Sequence, residues 1–147
     1  MAKGLAGSNI SYPILVEIFP KPKVAHIDLP ELARTYLQQA YETLHAPDAA
    51  AVMAGSAVDA MLKEHSYDKG SLYERIDKAV ENHLLTEGMG NWAHAIRLES
   101  NRPRHADKEN PHVTPEEAQQ VVEFAEALGH FLFVLTARIN AAVEATT

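Results

Sequence analysis

The chain has 147 residues, the length of a single domain, and 46% of them are hydrophobic, enough to bury a core. Its formal net charge of −7 at pH 7 argues against a general nucleic-acid coat protein, because such proteins carry an extensive basic face. The chain has no cysteine, which excludes disulfides, thiolate zinc sites and cysteine nucleophiles.

The N-terminal part differs from the rest of the chain. Residues 1–28 are predicted to be a flexible tail and an extended arm, and residues 29–147 a helical domain. Prolines bracket the apolar run Pro13-Ile-Leu-Val-Glu-Ile-Phe-Pro20. Because proline cannot donate to a strand ladder and biases its predecessor away from helix, this run favours an extended arm over a strand inside a sheet.

The first three helices are predicted from their start signals. Asp28-Leu-Pro-Glu31 has the form of a capping box in which Asp28 caps the first helix. The second helix begins near Pro47 and ends before His65, and its small apolar residues allow a neighbouring helix to approach closely. Ser71-Leu-Tyr-Glu74 is another capping box and begins the third helix.

The fourth and fifth helices complete the predicted fold. The fourth begins between Thr86 and Gly90, turns Trp92 toward the core, and continues until Pro103 ends or kinks it. Thr114-Pro-Glu-Glu117 combines an N-cap, an N1 proline and an N3 glutamate, and it begins one long helix. The sequence therefore predicts an all-α bundle of about five helices with a short extended N-terminal arm.

Neither end of the chain predicts attachment to a membrane. The first residues lack the apolar run of a signal peptide. The most apolar later segment, Phe131 to Ile139, is too short to span a bilayer. We therefore expect a cytoplasmic protein without a membrane partner.

The basic segment, Arg97 to His105, is the most distinctive feature of the sequence. Within nine residues it contains Arg97, Asn101, Arg102, Arg104 and His105. On an ideal helix of 100° per residue, His94, Arg97 and Asn101 would lie within about 60° of one another and form a polar stripe.

The residue chemistry of this segment permits two interpretations. In the first it binds a phosphodiester without a metal or cofactor: the guanidinium groups of Arg97, Arg102 and Arg104 contact phosphate, His105 acts as general acid or base, and Asn101 orients the histidine or the substrate. In the second it caps a helix, because asparagine terminates helices and cations at a helix C-terminus stabilise it by a few tenths of a kcal/mol.

Two further groups bear on these interpretations. The histidines His94, His105 and His112 match no familiar ligand spacing, so we expect no metal site. A carboxylate close to Arg97 would hold its guanidinium and weaken its attraction for phosphate. Asp59, in the helix of small residues, is the candidate for that pairing.

The sequence after residue 28 resembles a bacterial and phage family known as domain of unknown function 4145, which is grouped with the HEPN superfamily of helical, mostly dimeric domains. The resemblance extends over nearly all of these residues, and its order and spacing are fairly specific. The matching residues are Leu29 to Leu32, Tyr36, Ala40, Ala50, Ala51, Ala57 to Asp59, Ser71 to Asp77, Trp92 to Arg97, Asn101, His105, Thr114, Glu117, Ala118 and Phe131 to Phe133.

This resemblance implies a HEPN-like fold, a homodimer and a process linked to nucleic acid, such as phage defence or toxin action. Many HEPN proteins are metal-independent ribonucleases whose arginine and histidine motifs meet across a dimer. By carry-over, His105 would be the acid or base, Arg97 and Arg102 would bind phosphate, and Asn101 would position them. Here seven residues separate Arg97 from His105, a wider interval than in that signature.

Two alternatives stand beside a ribonuclease. The first is a non-catalytic dimerisation or regulatory module, in which the polar stripe caps a helix and lines a subunit interface. The second is a small-nucleotide-binding domain, in which Arg97 and Arg104 bind phosphate without acid–base chemistry. RNA or a nucleotide is therefore the expected ligand in two of the three hypotheses.

Overall fold

The helical architecture is seen in a computed structural model that describes residues 23–96, 98 and 108–147. The described residues form α1 (Glu31–Glu42), α2 (Pro47–Glu64), α3 (Leu72–Glu81), α4 (Glu87–Ala95), α5 (Pro115–Gly129) and α6 (Leu135–Thr146). A π-helical turn, His130–Val134, joins α5 to α6, so these elements form one continuous helix of 32 residues. Counted that way the described chain has five helices and no strand, which confirms the predicted all-α class.

Helix α2 is the centre of the bundle and packs against both α1 and α5. Its small side chains allow this, because they let neighbouring helix axes come close on two sides. Gly129 allows a similarly close approach where α5 crosses near the start of α1, because a Cβ on Gly129 would lie 2.7 Å from Cδ2 of Leu29. The buried residues of α2 are Ala50, Ala51, Ala54, Gly55, Ala57, Val58, Met61 and Leu62.

The predicted helix starts near Pro47 and Thr86 are confirmed, as are the capping boxes predicted at Ser71 and Thr114. The N–H of Glu74 donates to Oγ of Ser71 over 3.1 Å, and the Glu74 carboxylate accepts the N–H of Ser71 over 3.2 Å. Thr114 and Glu117 form the same reciprocal pair, with distances of 3.1 and 3.0 Å. Each box satisfies two backbone donors at a helix start, so α3 and α5 begin where the local sequence dictates.

The predicted capping box at Asp28 is wrong. Helix α1 begins at Glu31 with Pro30 as its N-cap, and no side chain caps it. A turn in which the N–H of Leu29 donates to the carbonyl of His26 brings Asp28 back toward that histidine. The carboxylate of Asp28 then lies 3.6 Å from Nδ1 of His26 and cannot serve the helix start.

Helix α4 ends earlier than predicted. It stops at Ala95, and Ile96 is extended, with φ −117° and ψ 170°. The backbone C=O of Ile96 and N–H of Leu98 both bond to a tyrosine hydroxyl on α3 instead of continuing the helix. The helix that carries His94 therefore ends before Ile96, and Arg97 and Asn101, the other members of the predicted stripe, lie outside the described residues.

The core-facing position predicted for Trp92 is also wrong in part. Its side chain is 37% exposed. One edge of the indole packs against Phe124 with a centroid distance of 5.3 Å and an interplanar angle of 86°. Trp92 therefore lies at the border of the core, with one face open beside α5.

The continuous helix Pro115–Thr146 is long and apolar enough to cross a membrane by length and composition, with a mean hydropathy of 1.3 over its apolar window. A core helix of a bundle meets the same criterion, and 39% of that window is buried inside the protein. The buried part is α5, whose Val121, Phe124 and Leu128 lie in the core. By contrast, α6 buries no residue, and Ile139 and Val143 are 51% and 56% exposed.

An ion-pair cluster joins α2 to α3. The carboxylate of Asp59 accepts a hydrogen bond from Nη1 of Arg75 and lies 2.8 Å from Nζ of Lys63. Burial alone would raise the pKa of Asp59, but the hydrogen bonds and charges of Lys63 and Arg75 outweigh it and lower that pKa below 3.8. The Asp59 charge therefore stabilises the folded state.

Replacing this charge tests the cluster. We expect Asp59→Asn to lower the free energy of unfolding at neutral pH by about 1–2 kcal/mol, since a charged hydrogen-bond acceptor is lost. Because the folded pKa of Asp59 is lowered, its contribution is present above the unfolded pKa of about 3.9 and is lost as pH falls through the folded value. Urea unfolding of both proteins from pH 7 to pH 3 measures this. A difference that stays constant across that range would contradict the assignment.

Candidate functional site

The hydroxyl of Tyr73 fixes the entry to the basic segment. Tyr73 lies on α3, and its Oη donates to the carbonyl of Ile96 over 2.7 Å and accepts the N–H of Leu98 over 3.0 Å. The capping box at Ser71 sets where α3 begins and so where this tyrosine lies. One hydroxyl therefore holds the residues on both sides of Arg97.

Helix α2 contacts the same part of the backbone, at Leu98. Ile96 and Leu98 are 6% and 3% exposed, so both side chains belong to the core. The carbonyl oxygen of Leu98 lies so near Gly55 of α2 that a Cβ there would be 3.1 Å from it. Gly55 thus allows the backbone of Leu98 to approach the helix closely. Together with Tyr73 it forms the first anchor.

The second anchor is the carboxylate of Asp48, in the first turn of α2. Oδ1 of Asp48 accepts the N–H of Val113 over 2.6 Å, and Oδ2 lies 2.7 Å from Nδ1 of His112. Val113 is buried in the core. A carboxylate also complements the positive end of the helix dipole at this position. The chain therefore returns to α2 at Asp48, just before α5 begins.

Both anchors lie on one helix. Gly55 and Asp48 are seven residues apart on α2. At ~1.5 Å per residue this is about 10 Å along the helix axis. Leu98 and His112, which are described on either side of residues 99–107, thus both contact the same helix.

A histidine–carboxylate pair lies beside the first anchor. Nε2 of His94 is 2.6 Å from Oδ1 of Asp77, and the imidazole stacks on the ring of Tyr73 with a centroid distance of 5.3 Å. Since an ionised carboxylate only accepts hydrogen bonds, the proton lies on Nε2 of His94. Both His94 and Asp77 are exposed. This pair adds a polar, solvent-accessible surface next to the point where the basic segment begins.

The residues predicted to carry the chemistry lie outside the described residues. They are Arg97, Asn101, Arg102, Arg104 and His105. Asp59, the carboxylate considered as a partner of Arg97, is held by Arg75 and Lys63. Of the predicted stripe only His94 is described, and it pairs with Asp77.

Four residues of this site were not identified from the sequence: Tyr73, Asp77, Asp48 and Gly55. Tyr73 and Asp77 are four residues apart on α3, a spacing that places both on one helix face. This spacing alone does not indicate what the two side chains contact, because their partners His94 and Leu98 are distant in sequence. Gly55 and Asp48 gave only the ordinary signals of a helix interior and a helix start.

Comparison with known proteins identifies a family. A family model described as Domain of unknown function (DUF4145) matches residues 38–144, which is most of the chain and extends across both anchors. No curated protein and no solved structure matches the chain.

The tyrosine clamp can be tested by removing one oxygen atom. We expect Tyr73→Phe to lower the free energy of unfolding by about 1–3 kcal/mol, because it leaves the N–H of Leu98 and the carbonyl of Ile96 without their partner. Hydrogen exchange at the Leu98 amide should become faster than in the native protein.

Tyr67→Phe is the matched control for this change. The Tyr67 hydroxyl accepts an exposed hydrogen bond from Asn82 over 3.0 Å, so water can replace it. We expect that control to cost no more than about 0.5 kcal/mol. Equal losses in the two variants, measured by urea unfolding, would show that the clamp does not hold the segment.

Proposed function

We propose a function from the premise that the chain belongs to the family Domain of unknown function (DUF4145). In this proposal it is a HEPN-like helical domain that acts as a homodimer in a cytoplasmic, nucleic-acid-linked process such as defence against phage. In its specific form it is a metal-independent endoribonuclease. His105 transfers protons, Arg97 and Arg102 bind phosphate together with Arg104, and Asn101 positions them.

The observation that supports this proposal is that the described residues on either side of the basic segment are attached to core helices. Tyr73 bonds to the backbone on both sides of Arg97, and Asp48 holds the chain where it returns at Val113. Fixing the ends of a loop lowers the conformational entropy that its side chains lose when they bind a ligand.

The chemistry of RNA cleavage matches the composition of the segment. The 2′-hydroxyl oxygen attacks the adjacent phosphorus as it loses a proton, and the 5′-oxygen leaves as it gains one. Guanidinium groups stabilise the negative charge that builds on the phosphate, and a histidine titrates in the right range for both transfers. Two transfers call for two histidines, which a symmetric dimer provides as two copies of His105.

An RNA-cleavage assay in the presence of EDTA tests the enzymatic claim. We expect the native protein to cleave single-stranded RNA and His105→Ala to be slower by roughly 100-fold or more, because general acid–base catalysis is lost. His45→Ala is the matched control, since His45 lies exposed in the turn between α1 and α2 and should leave the rate unchanged. Equal cleavage by native protein and His105→Ala, or none by either, would remove the ribonuclease proposal.

A second candidate function is a non-catalytic dimerisation module, and α6 favours it. Leu135, Ile139 and Val143 recur every four residues and form one apolar face, yet no residue of α6 is buried. A second copy of the chain packed along this face would remove these apolar side chains from water and so stabilise the folded state. In a two-fold antiparallel pair centred on Ala141, Ile139 of one copy meets Val143 of the other, so the face is self-complementary.

Charged residues on this face should weaken such a dimer. We expect Ile139→Glu/Val143→Glu to raise the dissociation constant at least ~10-fold, because each buried aliphatic side chain contributes about 1.5–3 kcal/mol. Ala141→Glu, on the opposite face of α6, is the control and should leave self-association unchanged. Sedimentation equilibrium measures all three proteins. A native chain that stays monomeric at high concentration would contradict both the dimer and this second function.

A further inference from the structure

A groove lined by both apolar and charged side chains lies between α4 and α5, beside Trp92. Its apolar lining consists of Met89, Trp92, Ala127 and Phe131, and its volume is about 690 Å³. Trp92 is the largest of these side chains and is 37% exposed there. Burying such a surface would stabilise the protein, since each Å² of apolar area removed from water contributes roughly 25 cal/mol.

The described chain begins at the edge of this groove. Lys23 lines it, and its Nζ lies 3.3 Å from Oε2 of Glu126 on α5. The backbone there is also fixed: the carbonyl of Lys23 accepts from Nε2 of Gln38, and the N–H of Ala25 donates to Oε1 of the same side chain. Whatever precedes Lys23 in the sequence therefore starts next to Trp92.

The sequence that precedes Lys23 is apolar. Residues 14–19 read Ile-Leu-Val-Glu-Ile-Phe, and only three residues separate Phe19 from Lys23. A chain of four steps spans at most about 13 Å, so Phe19 cannot be far from the groove. Lys21 precedes Lys23 by two residues in the sequence, and Glu123 lines the same groove one turn before Glu126 on α5.

We propose that residues 14–19 of the same chain occupy the groove between α4 and α5 and cover Trp92. The apolar segment begins within reach, the groove offers apolar surface of its own, and Lys23 at its edge already pairs with Glu126 of α5. The arm is then part of the folded domain, and it closes the side of the bundle to which Trp92 is open.

Tryptophan fluorescence tests this directly, because Trp92 is the only tryptophan in the chain. In the full-length protein we expect emission at short wavelength and weak quenching by acrylamide. Ile18→Asp/Phe19→Asp should shift the emission to longer wavelength and increase the quenching constant, while Ile10→Asp, outside the apolar segment, should change neither. Identical emission and quenching in the native protein and the double variant would overturn the proposal.

Two further measurements make the test specific. Lys21→Glu, which leaves the apolar residues in place, should increase quenching by a smaller amount, because it brings a negative charge toward Glu123 and Glu126. The quenching of the native protein should not change on dilution. A rise in quenching over the concentrations at which the mass falls from dimer to monomer would overturn the assignment to the same chain and assign the arm to a second copy.

Discussion

The close approach of the backbone at Leu98 to helix α2 is the constraint on which the site depends. This approach requires a residue without a Cβ atom on α2, and that residue is Gly55. The carbonyl of Ile96 and the N–H of Leu98 also need hydrogen-bond partners outside the helix, and the Tyr73 hydroxyl bonds to both. Without either, the end of α4 would be free to continue as a helix or to leave the bundle.

The same helix holds the chain after the basic segment, at His112 and Val113, through Asp48. Because α2 is packed on two sides by α1 and α5, its position is determined by the core. The described residues on either side of the segment are therefore attached to the core. In the proposed function the residues that flank the phosphate-binding segment are held in place before a ligand binds. Binding therefore loses less conformational entropy.

The fold was predicted well where the information was local. The capping boxes at Ser71 and Thr114 involve groups three residues apart, so the sequence alone contains both partners. The box at Asp28 failed although it was equally local, because a competing turn engaged the same carboxylate with His26. Local patterns are thus reliable only when no other nearby group can bind the same atoms.

The candidate site was predicted less well, for a physical reason. The end of α4 is decided by Tyr73, which is more than 20 residues away in sequence from the groups that it binds. No periodicity within α4 contains that information, so the sequence continued the helix past Ala95, where it ends. Similarly, the open face of Trp92 depends on where α5 lies beside it. Contacts of this kind can be identified only when the packing of the helices is known.

The salt dependence of RNA binding tests the central claim most directly, because it counts the cations that contact phosphate. Anisotropy of a labelled single-stranded RNA would be measured at several salt concentrations for the native protein and for Arg97→Gln/Arg102→Gln/Arg104→Gln. Each phosphate contact contributes about 0.7 to the slope of log K against log salt, so the account predicts that the slope falls by roughly 2 in the triple variant. Equal slopes for the two proteins, or no RNA binding by the native chain, would contradict it.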